Sequence, residues 1–126
     1  MPGRADPTSR PDPRKLSIKL LVEADGAAGA EAELRAIVPL LAPHAAVTKS
    51  VLKPYAKVAG TWMLTLDLDP VGPPLDAFDR LVGLAGAGWS GDTAGEGDPW
   101  AVWNPEPGHA LLTPRVRWAT LETWVP

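Results

Sequence analysis

The chain has no cysteine, one phenylalanine, one tyrosine and two histidines in 126 residues. Without thiols it can form neither disulfides nor thiolate metal sites. The two histidines, His44 and His109, fall in separate loop-like stretches, so no His-pair metal centre is expected. Long apolar runs are also missing: nothing approaches the roughly 18 to 20 residues that cross a bilayer as a helix. Met1-Pro2-Gly3-Arg4-Ala5-Asp6-Pro7 offers no apolar core of a secretory signal. A cytoplasmic protein with no membrane association is the expectation. Nucleotide motifs are lacking too. Gly26-Ala27-Ala28-Gly29 contains neither G-x-G-x-x-G nor G-K-[ST], and Asp92, Glu96 and Asp98 do not follow the EF-hand pattern. No cofactor and no metal are expected.

Charge of one sign is scarce in the body of the chain. Residues 1–19 hold Arg4, Arg10, Arg14, Lys15 and Lys19 against Asp6 and Asp12, a balance of +3. The remainder holds seven basic and thirteen acidic residues, a balance of −6, for a total of −3. An acidic body is repelled by phosphate backbones, so nucleic acid is not an expected partner.

The length fits one core. Residues 1–14, with four prolines and almost nothing apolar, read as a disordered Pro/Arg-rich leader, and residues 15–126 as a single domain. Leu16, Ile18, Leu20 and Val22 alternate with polar residues, the period of a half-buried strand, with Leu21 the exception on the outer side. Leu34, Ile37, Val38 and Leu41 follow at helical spacing, and Pro39 predicts a kink or an early end near Ala36. Strands are predicted over 45–53 and 61–69. In the second, Leu64, Leu66 and Leu68 face one way with Trp62. Leu75, Phe78, Leu81, Val82 and Ala85 mark a second helix. Residues 90–99 read as a polar loop, 100–103 as a short strand, 104–114 as a connection and 115–125 as a last strand. The fold class expected is α+β: a ferredoxin-like βαββαβ sheet with two helices on one face and extra short C-terminal strands. Such a sheet leaves its other face open.

No catalytic set emerges. His109 has no nucleophile beside it, and His44 follows a helix end, where an imidazolium would suit the dipole. Asp67 and Asp69 share a strand face, and a solubilising edge accounts for them. An RNA-recognition reading of the same topology fails, because the third strand offers one aromatic and ends in two acids.

Tryptophan is the surplus: six of the eight aromatic residues, five of them after residue 88. Trp118 and Trp124 fall on one strand face, with Arg115 and Arg117 on the other. Trp100 and Trp103 cannot share a face, so one of them points outward. Partner-binding candidates are therefore Asp92, Glu96, Asp98, Trp100 and Trp103, acids beside aromatic anchors.

Through Trp100-Ala101-Val102-Trp103-Asn104 and Arg117-Trp118-Ala119, and through size and element order over residues 15–125, the chain resembles the small cytosolic immunity proteins of bacterial polymorphic toxin systems. That resemblance implies a non-enzymatic protein that neutralises a toxin domain, often a basic one, by direct contact. A second reading is a cofactor-free dimeric α/β-barrel enzyme or small-molecule-binding domain, in which Trp62, Asn104 and His109 would line a cavity. A homodimer is compatible with either.

Overall fold

The computed structural model describes residues 12–92 and 99–126. The predicted leader falls mostly outside them. Lys15 opens β1 (Lys15–Glu23), where Leu16, Ile18, Leu20 and Val22 are each at most 1% exposed, as their alternation predicts. Full burial of such a side chain contributes about 1.5 to 3 kcal/mol. These four side chains are the spine of the core.

Asp25 precedes helix α1 (Gly26–Leu41). Ala30, Ile37 and Leu41 are its buried residues, and Leu34 packs against the same core. The helix does not stop near Ala36; Pro39 sits inside it. The reason is position. Pro39 lies in the last turn, where its missing N–H removes one bond to the exposed Arg35, whose carbonyl water can satisfy, and the Ala42 N–H still reaches the Val38 carbonyl at 3.0 Å.

Strands β2 (Ala45–Pro54) and β3 (Thr61–Pro70) form a hairpin. Thr48 is the extra residue of a bulge in β2, and Lys49, Lys53 and Pro54 mark this strand as an edge that resists further pairing. In β3, Leu64, Leu66 and Leu68 point into the core, as predicted. Helix α2 (Pro74–Gly83) begins on a proline whose fixed φ suits the first helical position. Its buried stripe is Pro74, Ala77, Phe78 and Leu81. Leu75, expected in the stripe, is 40% exposed, one step round the helix from that i, i+3, i+4, i+7 set.

The stretch read as a loop begins with a strand, β4 (Trp89–Asp92), which pairs with β5 (Trp100–Trp103). Trp-Ser-Gly-Asp has little strand propensity, and the pairing depends on a glycine. A Cβ on Gly91, at φ +149°, would lie 2.3 Å from the Trp100 carbonyl oxygen. The last strand, β6 (Val116–Trp124), pairs with β1 and β5. Its partners jump from Trp118 to Val116, so Arg117 is a bulge residue. Arg117 pairs with Glu23 on β1, while Arg115 lies before the strand, 3.9 Å from Glu33.

The fold is α+β: a six-stranded antiparallel sheet in the order β2-β3-β1-β6-β5-β4, with two helices. Six strands do not by themselves define the βαββαβ order that was expected together with extra short C-terminal strands. One buried cluster joins both helices to the inward residues of β1, β3, β5 and β6, so among the described residues the helices cover one face and leave the other open. Among the described residues, no helix is long and apolar enough to cross a membrane.

Candidate functional site: the open face of the sheet

The strand register lays the open face out in rows. One row runs Lys49, Asp67, Ser17, Glu122, Trp100 and the backbone position of Asp92. The next runs Val51, Thr65, Lys19, Thr120, Val102 and Ser90. A third, shorter row holds Lys53, Met63, Leu21 and Trp118. In the first two rows Asp92 alone has an undescribed side chain; every other residue of the three rows is half-buried or exposed.

Three depressions open on this face. One of about 320 Å³ is lined by Leu21, Tyr55, Val58, Met63 and Trp118, with little polar surface. A second, about 560 Å³, lies at the sheet end, where Glu23, Asp25, Arg115 and Arg117 contribute charge. A third, about 420 Å³, is lined by Ser17, Lys19, Asp67, Glu122 and Trp124. All are open to solvent, so a ligand here would keep much of its hydration, unlike one in the enclosed pockets typical of small-molecule sites.

The predicted residues separate. Trp100 points outward and is 48% exposed, and its strand partners are Glu122 and Asp92. Trp103 points inward and is 1% exposed; its indole N–H donates to the Ala87 carbonyl at 2.8 Å. Trp103 is thus a core residue and leaves the binding set. The three-residue spacing on a regular strand forces this division, and the Ala101 and Trp103 side chains fill the helix side. Glu96 and Asp98 lie outside the described residues.

The face holds residues that the binding set omitted. Trp124, 38% exposed, donates its indole N–H to the Leu16 carbonyl at 3.2 Å. Trp118, Glu122 and Asp67 stand on the same side. Their alternation, Trp118, Thr120, Glu122 and Trp124, was visible in the sequence. Asp67 and Asp69 do not act as a pair, because Asp69 is bonded to Lys15 at 2.6 Å.

The residues of the enzyme reading are divided between β3 and the segment after β5. His109 Nδ1 lies 3.2 Å from the Ala85 carbonyl, Asn104 is exposed past β5, and Trp62 is half-buried on β3. None of the three lines a depression described here. The His44 Nδ1 accepts a hydrogen bond from the Arg80 Nε–H at 3.3 Å. No group of three or more His, Cys, Asp or Glu among the described residues could hold a metal. Compared with known proteins, the chain matches no family model, no curated protein and no solved structure.

Proposed function

We propose that this chain is a non-enzymatic protein-binding domain, an immunity or inhibitor protein that neutralises a partner toxin by direct contact. The observation that carries the reading is the exposed indole of Trp100 beside Glu122 at the β5–β6 end of the sheet face opposite the helices. An indole seated in a partner's pocket supplies affinity, and a carboxylate next to it speeds encounter with a basic surface. Against a nuclease, this carboxylate would occupy the place of a substrate phosphate. We further read β1, α1, β2, β3, α2 and β6 as a ferredoxin-like unit, supported by the strand order β2-β3-β1-β6, with the β4–β5 hairpin added beyond β6.

The test uses the protein encoded by the adjacent reading frame as the binding probe. The wild-type chain binds it, and Trp100→Ala weakens binding about 30-fold, the equivalent of about 2 kcal/mol, without lowering the thermal midpoint. Full affinity in that variant, or no binding by the wild-type chain, overturns the reading.

A further inference from the structure

The open face has a charge order across its strands. The basic side chains Lys49 and Lys53 stand on β2, at one edge, and the carboxylate of Glu122 stands three strands away on β6. Between them lie Asp67 and Ser17 in one row, Thr65 and the exposed Lys19 in the next, and Met63 and Leu21 in the third, so a cation also stands mid-face.

We propose that this face pairs with the same face of a second copy of the chain. Consider a two-fold axis parallel to the strands, midway between β3 and β1. It carries β2 of one copy over β6 of the other, and β3 over β1, while each row stays on its own level. Lys49 then stands over Glu122, Lys53 over the ring of Trp118, and Met63 over Leu21. Each contact occurs twice. A salt bridge, a cation over an indole and an apolar pair are all favourable, and all come from one operator. An axis perpendicular to the strands would instead set the two β2 lysine edges over each other. Sheets packed in this way keep their strands within about 30° and sit about 10 Å apart.

The area fits a reversible dimer. Four strands about 4.8 Å apart and about seven residues long cover roughly 450 Å² of footprint per copy. Side-chain relief brings the total surface removed from water near the lower end of specific interfaces, about 1,200 Å². Trp100 and the β4–β5 hairpin lie past β6, beyond the paired strands. They stay exposed at both ends of the dimer, so the pairing does not rest on the toxin reading, but it engages Glu122, and a partner that draws on this carboxylate competes with the second copy.

Sedimentation of the full chain across a concentration series tests the proposal. The expected result is a species of twice the 13.3 kDa chain mass at high concentration. Lys49→Glu and Glu122→Lys each raise the dimer dissociation constant about tenfold or more, because each sets two like-charge contacts across the interface. The double variant, with the charges exchanged, returns toward the wild-type value. Far-UV circular dichroism confirms that the variants fold, and Lys49→Ala with Glu122→Gln repeats the comparison if a reversal does not. A monomer at all concentrations overturns the proposal. So does a dimer indifferent to both reversals, which would place the contact at a sheet edge or on the helix side. So does a double variant that fails to recover.

Discussion

Trp89 and Trp103 stand opposite each other across the β4–β5 hairpin, and they differ in one hydrogen bond. The Trp103 indole donates to Ala87, beside Gly88, whose φ of +101° and missing Cβ let the ring pass. The Trp89 Nε1 is buried and, among the described residues, has no acceptor. A buried donor without a partner costs about 1 to 3 kcal/mol. Replacing each ring by phenylalanine should therefore give unequal results. Trp103→Phe loses packing and strands a carbonyl, for about 2 to 3 kcal/mol. Trp89→Phe loses packing but removes the orphan donor, so the two effects offset and the net loss stays below about 1 kcal/mol. Urea denaturation of both variants reads the difference. Equal losses would mean that the Trp89 N–H is satisfied after all.

At the scale of elements, α1 carries an avoidable cost. Pro39 interrupts its last turn while its side chain is exposed, so it gives little packing in return. Pro39→Ala restores one backbone bond to Arg35 and a favourable helix residue, offset by about 0.4 to 1 kcal/mol of regained freedom in the unfolded chain. A net gain of about 1 kcal/mol is expected, seen as a higher urea midpoint at an unchanged slope. A lower midpoint would show that the ring packs after all. The same helix marks where sequence reading works and where it stops. The helix and the strands β1, β2, β3, β5 and β6 were legible, because apolar residues recur at the period of each element. Its end was not, because a proline's effect depends on how many bonds lie downstream. Strand β4 was hidden for a related reason: its four residues pair through backbone and through Gly91, which carry no periodicity. Of the site, the division of Trp100 from Trp103 followed from strand period, but which one faced outward depended on where the helices sit.

At the scale of the molecule, one face is dry and the other carries the accessible indoles in a field of mixed sign. Trp100 and Trp124 are exposed on the open face, and Glu122, opposite Trp100 and two residues before Trp124 on β6, is exposed too. Trp103 is shielded from solvent. Two quenchers separate access from charge. Acrylamide, being neutral, should quench the part of the emission that comes from the exposed indoles and leave a residual signal from the buried one. Iodide reaches the same rings but is repelled by nearby carboxylates, so at low ionic strength it should quench less than acrylamide does. Raising an inert salt to about 0.15 M shortens the reach of that field to about 8 Å and should close part of the gap. Glu122→Gln should close it further without changing acrylamide quenching, because the substitution alters charge and keeps shape. Trp100→Phe should remove much of the quenchable signal, and its salt response with it. Equal quenching by iodide and acrylamide at every salt concentration would mean that no negative field adjoins these rings. An inhibitor that draws in a basic partner through this end of the sheet would then lack its means of doing so.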